Sequence, residues 1–113
     1  MQYYNEEKMH SFRILLEQEI LSWTDVSTKK MYGCPCYKCK DKLFAFLVTD
    51  GVVLTKASEQ DRTKLGQEFQ IKPFQAATRT MKGWTQIPID ETSDLERIIL
   101  FIKKSYEHAK SGV

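Results

Sequence analysis

Apolar residues near the start of the chain recur at helical spacing. Met9, Phe12, Leu16, Ile20 and Trp23 fall on one side with Leu15 beside them, while Glu6, Arg13 and Glu17 fall on the other. Thr24-Asp25-Val26-Ser27 ends that pattern. The runs that follow favour strand: Met31 to Tyr37, Leu43 to Val48 and Val52 to Thr55. Lys40-Asp41-Lys42 divides the first run from the second. Asp50-Gly51 divides the second from the third and predicts a hairpin, because glycine tolerates the positive φ of a tight turn.

Ser58-Glu59-Gln60-Asp61 has the form of a capping box and predicts a short helix ending near Phe69, on a thin stripe of Leu65 and Phe69. Pro73 stops any helical continuation, and Phe74 to Ile89 reads as two strands joined around Ala76 to Thr80. Ser93 with Glu96 forms a second capping box. It opens a closing helix, Asp94 to Ala109, with Leu95, Ile98, Ile99, Ile102 and Tyr106 on one face. The predicted order is α-β-β-β-α-β-β-α, an antiparallel sheet with segregated helices and so a two-layer α+β domain. Residues 1–113 read as a single domain without repeat or linker.

The hydrophobic pattern also raises a question about the sheet. A two-layer domain leaves one sheet face bare, so its strands should alternate apolar with polar residues. Leu43-Phe44-Ala45-Phe46-Leu47-Val48 is apolar on both faces, and Trp84 lies opposite to the face shared by Ile87 and Ile89. The second face therefore needs a cover: a curl of the sheet, a wrapping terminal helix, a homodimer or another protein partner. Phe44, Phe46 and Trp84 are expected to contribute to that covered or contact surface.

Composition changes little. An apolar share of 42% and a charged share of 28% are ordinary for a globular protein, and no apolar run approaches the roughly 20 residues of a membrane helix. The polar, acidic N-terminus does not read as a signal peptide, and three cysteines cannot all pair within the chain. A reducing, cytoplasmic setting is expected. Five lysines and one aspartate lie between Lys29 and Lys42, with Tyr32 and Tyr37 among them, yet the whole chain carries only +2. That balance suits a solvated edge strand better than a nucleic-acid surface.

Cys34-Pro35-Cys36-Tyr37-Lys38-Cys39 is the sharpest chemical feature. Thiolates bind soft metals such as zinc, and Cys34 and Cys36 share a strand face while Cys39 sits near the turn. Lys38, Lys40 and Lys42 could favour thiolate, which serves redox sensing as well as ligation. A tetrahedral zinc site needs a fourth ligand, and His10 and His108 are not aimed at the cluster. The alternative is that the three cysteines are small buried fillers of a strand. No nucleophile elbow, phosphate-binding glycine loop or His-Glu-x-x-His motif occurs, so no enzymatic activity is expected.

Lys30-Met31-Tyr32-Gly33-Cys34, the apolar start of the second hairpin strand at Leu43-Phe44-Ala45, and Arg79-Thr80-Met81-Lys82-Gly83-Trp84 occur in that order, followed by the closing helix. In this order and spacing the chain from Lys30 onward resembles the TfoX N-terminal domain family. Cys34 stands where that family carries a second glycine, and Thr80 where it carries a proline. The resemblance implies an α+β layout like that of secretion chaperones and kinship with regulators of bacterial competence, in which this domain precedes a second one. It brings no catalytic residues, and no second domain is expected before the chain stops at Val113. The expected function is a cytoplasmic binding or regulatory module acting through protein–protein contacts, self-association included. The rival expectation is a thiolate metal or redox site at Cys34, Cys36 and Cys39.

Overall fold

Helix α1 (Glu6–Ile20) leads into four strands, β1 (Val26–Met31), β2 (Cys34–Cys39), β3 (Lys42–Val48) and β4 (Gly51–Leu54). Helix α2 (Glu59–Glu68), strands β5 (Lys72–Ala76) and β6 (Arg79–Pro88), and helix α3 (Leu95–Lys110) complete the chain. The computed structural model describes residues 3–76 and 79–111, and Lys82 by its backbone alone. The α+β class and the places of the three helices are as expected. Of the junction expected around Ala76 to Thr80, Ala77 and Thr78 lie outside the described residues.

The run from Met31 to Tyr37 proves to hold a turn. Tyr32 (φ +54) and Gly33 (φ +80) supply two successive positive φ angles, the requirement of a primed hairpin turn. They reverse the chain so that β1 pairs with β2 from Met31↔Cys34 to Val26↔Cys39, which adds a strand ahead of the expected ones. Lys40 (φ +51) and Asp41 (φ +67) repeat the device between β2 and β3. A hairpin joins β3 to β4 as expected, but its two-residue loop is Thr49-Asp50: Asp50 takes the positive φ (+62), and Gly51 is the first residue of β4, opposite Val48.

Each helix starts on a side-chain cap. Asn5 accepts from the Lys8 N–H in α1, and Ser58 accepts from the Asp61 N–H in α2. In α3 the cap is Asp94, which accepts from the Arg97 N–H, rather than the expected Ser93. The Ser93 hydroxyl instead accepts from the Asp90 N–H and closes the preceding turn. α3 buries Ile98, Phe101, Ile102, Tyr106 and Ala109 and packs on β3 and β2.

The sheet order is β1-β2-β3-β4-β6-β5, with antiparallel neighbours throughout. Edge strand β1 exposes Ser27 to Lys30, and edge strand β5 holds Pro73, two devices that discourage further strand pairing. The sheet is strongly curled. Phe46 of β3 and Phe74 of β5 touch with ring centroids 5.1 Å apart, although β4 and β6 lie between their strands. The helices take the outer face: Tyr37, which alternates away from Cys36, donates its hydroxyl to Glu17 of α1 at 2.7 Å. Glu17 is thus half-buried beneath the helix and not on a free polar face, while Leu15 is exposed.

Candidate functional site

The inner face of the curl forms an apolar basin of about 460 Å³, within the range of small-molecule and side-chain pockets. Its floor is aromatic: Phe46 stands edge to face with Phe74 at 5.1 Å and with Trp84 at 5.6 Å, and Tyr3 lies 6.3 Å from Phe74. Met31, Tyr32 and Cys34 line it from the β1–β2 hairpin, and Ala76, Arg79 and Met81 from the β5–β6 pair. These are the two ends of a six-stranded sheet, so only the curl lets them meet.

A wide irregularity in β6 aims the second wall. Pro73 pairs with Thr85 and Phe74 with Met81, leaving Lys82, Gly83 and Trp84 without partners on β5. A bulge of this kind bends a strand and re-aims its side chains. Gly83 adopts φ +88 there, with open space where a Cβ would stand, so backbone conformation and not crowding favours glycine. Trp84 is turned onto Phe46 and remains half-buried. Tyr32 is 82% exposed at the mouth, held at a positive φ that bulky residues rarely adopt.

Two of the three expected surface aromatics meet in the basin. Phe46 is 2% exposed in its floor, covered by the chain's own curl, and Trp84 forms part of its open wall. Phe44 goes elsewhere. Tyr37 pairs with Ala45 while Lys38 pairs with Leu43, so Phe44 is the extra residue of a bulge. It is fully buried against Trp23 at 6.4 Å and Tyr106 at 5.5 Å, under α3. Tyr3 and Phe74 carried no signal in the sequence, whereas Met31, Tyr32, Arg79 and Met81 stood in the two motifs.

The three thiols do not converge. Strand alternation puts Cys34 and Cys36 on the basin side and Cys39 on the other, where its sulfur lies 3.9 Å from the Thr24 carbonyl oxygen. The Cys36 thiol donates to the Cys34 carbonyl at 3.4 Å. Among the described residues no group of three or more His, Cys, Asp or Glu side chains is placed to hold a metal ion. The expectation that nearby lysines favour thiolate is also reversed. Burial pushes the Cys34 thiol up to about 11, and raises Cys36 by more than Lys38 lowers it. His10 is paired with Glu6 and His108 with Asp61, both away from the cysteines.

A larger polar cleft lies between α1 and the β1–β2 hairpin, and its Tyr4, Glu6, Arg13 and Glu17 side chains are already engaged in one network. Arg13 donates to Glu6 through Nε and Nη2 and to Glu17 through Nη1, each at 2.9 Å. The Tyr4 and Tyr37 hydroxyls donate to Glu6 and Glu17. Burial holds both phenols well above their ordinary value, so they remain neutral donors. This network clamps α1 to the sheet. The basin differs: its one formal charge, Arg79, has no ion-pair or hydrogen-bonded partner among the described residues, and neither has the Trp84 indole N–H.

A curled antiparallel sheet with helices on its outer face and an apolar basin on its inner face, singly charged among the described residues, defines an α+β domain. The family model of the TfoX N-terminal domain matches residues 19–109. The chain belongs to the TfoX N-terminal domain family, a regulatory type of domain and not a known enzyme family. No curated protein and no solved structure gives a significant match. Among the described residues no helix is long and apolar enough to cross a membrane.

Proposed function

We propose that this domain is a competence-regulator-like module that works by binding another protein in a reducing, cytoplasmic setting, and that the basin receives the partner. One observation carries the reading. The two motifs that mark the family, far apart in sequence, supply facing walls of one cavity: Met31, Tyr32 and Cys34 from the first, Arg79, Met81 and Trp84 from the second. Strand residues whose role was packing alone would close over one another. Here two methionines and an indole stay half-buried around open space, and methionine adapts readily to varied apolar partners. A second copy of the chain is one occupant that the test separates from other proteins.

The test is to select binding peptides from a displayed random library on the whole protein and to map them by NMR. The expected result is that they shift the Trp84 indole and the Met31 and Met81 methyls, and that Met81→Asp abolishes them. Peptides that bind while leaving these signals still would overturn the reading. Sedimentation equilibrium over a concentration series tests the second copy. A dimer that shifts the same signals makes the chain its own partner.

A further inference from the structure

Resting on the basin as the contact site, we infer that the partner segment presents a large apolar side chain followed at once by a carboxylate, as in a Phe-Asp sequence. The apolar half follows from the walls: Phe46, Phe74 and Trp84 offer ring edges and faces, and Met31 and Met81 offer compliant sides. The acidic half follows from the charge. Among the described residues no carboxylate lines the basin, and Arg79 is its single formal charge.

The chain's four arginines make the contrast clear. Arg13 is held by Glu6 and Glu17, Arg97 by both oxygens of Glu68, and Arg62 by the Ala57 carbonyl. Arg79 alone is exposed without a partner among the described residues, and it stands at the basin wall opposite Ala76. A guanidinium presents a planar fork that a carboxylate fills with two parallel hydrogen bonds. The unpaired Trp84 indole N–H adds a donor for the segment's backbone carbonyl or its second carboxylate oxygen. An apolar anchor with no acid beside it would leave the Arg79 fork without a carboxylate.

Three blocked peptides test this on the whole protein: acetyl-Gly-Phe-Asp-Gly-amide and its Asn and Lys counterparts. Binding is read from the Trp84 indole signal, assigned by its loss in Trp84→Phe. The Asp peptide is expected to bind about five-fold more tightly than the Asn peptide, the scale of a partly exposed charge-assisted contact, and the Lys peptide least well. Arg79→Gln should erase the Asp preference, and Arg79→Glu should move it to the Lys peptide. Arg79 is exposed, so an unchanged melting temperature confirms that both variants fold. Equal binding of the Asp and Asn peptides overturns the acidic inference while leaving the basin as the contact site. If no peptide of the three, and none from the library, moves the Trp84 signal, the basin itself is not the contact site.

Discussion

Phe46 and Phe74 meet edge to face at 5.1 Å across two intervening strands. In a flat sheet, with neighbouring strands about 4.8 Å apart, β3 and β5 would lie about 14 Å from one another. The contact therefore measures the curl, and the curl creates both the basin and the cover for the inner face. Replacing Phe46 by Ala should cost about 3–5 kcal/mol, since it opens a cavity in the floor. A double-mutant cycle with Phe74→Ala, read by urea unfolding, should give a coupling of about 0.5–1.5 kcal/mol. Zero coupling would mean that other contacts bend the sheet.

Ser105 is buried inside α3 and joins the helix to two strand ends. Its hydroxyl donates to the Phe44 carbonyl at 2.7 Å and accepts from the Lys56 N–H at 3.1 Å. Phe44 is the bulged residue of β3, and its carbonyl also accepts from the Thr55 N–H at 3.2 Å, so the Ser105 hydroxyl is its second donor. Ser105→Ala removes both bonds at once and should cost about 1–3 kcal/mol in denaturant unfolding. Hydrogen exchange at the Lys56 amide should quicken in the variant. An unchanged exchange rate would show that the helix contributes no protection there.

How much of this could be read from the chain depended on distance along it. The Ser58 cap, α2 and the apolar face of α3 are set by neighbours in sequence, and they appeared where the pattern placed them, whereas the α3 cap fell on Asp94 and the β3–β4 turn on Thr49-Asp50, each one residue from its expected place. The Tyr32-Gly33 turn was missed because tyrosine is not among the residues that mark a primed turn, so Met31 to Tyr37 looked continuous. Glu17 was misplaced because helical spacing cannot show that a buried tyrosine hydroxyl waits beneath it. Strand alternation did put Cys34 and Cys36 on one face, and it also sends Cys39 to the other. The basin needed the curl, and nothing local in Phe74 or Tyr3 announces a contact across the sheet. What the sequence did hold was the two motifs, whose glycines and aromatics turn out to be its walls.

Thiol chemistry offers a pH test. Burial raises Cys34 to about 11 and raises Cys36 as well, so the folded state keeps its protons where the unfolded chain has lost them. The unfolded chain then binds fewer protons than the folded one, and stability falls as pH rises from the usual thiol range towards about 11. Below that range the contribution is fully present. The expected readout is a melting temperature that drops across this window in wild type and drops less in a Cys34→Ala, Cys36→Ala variant. At pH 8 a thiol reagent should modify the folded protein slowly and the denatured protein fast. Rapid modification of folded Cys34 would refute the buried-thiol description.

Glu6 gives the opposite sign. Hydrogen bonds from Arg13, then from His10 and Tyr4, hold its carboxyl down at about 2. Its contribution is therefore present above the ordinary carboxylate range and is lost as pH falls towards 2. The pair is open to solvent, so the effect on stability should be small and should shrink in salt. A carboxyl NMR titration should place the Glu6 midpoint near 2 and move it upward in Arg13→Gln. An unmoved midpoint would leave the clamp between α1 and the sheet without its main charge.

Tyr32 sets stability against binding. Its φ of +54 strains a bulky side chain, and the residue is 82% exposed, so little packing repays the strain. Asn is far better suited to this turn position ahead of Gly33, and Tyr32→Asn should stabilise the domain by about 0.5–1 kcal/mol. Gly33→Ala should act the other way: a Cβ there meets nothing within 4 Å, yet φ +80 would cost about 1 kcal/mol or more. Both shifts are measurable as urea midpoints at constant slope. The strained tyrosine stands at the basin mouth, so Tyr32→Asn should bind the Phe-Asp peptide more weakly while melting higher. A variant that gains stability and binds as well as wild type would show that the aromatic at the mouth has no part in the contact.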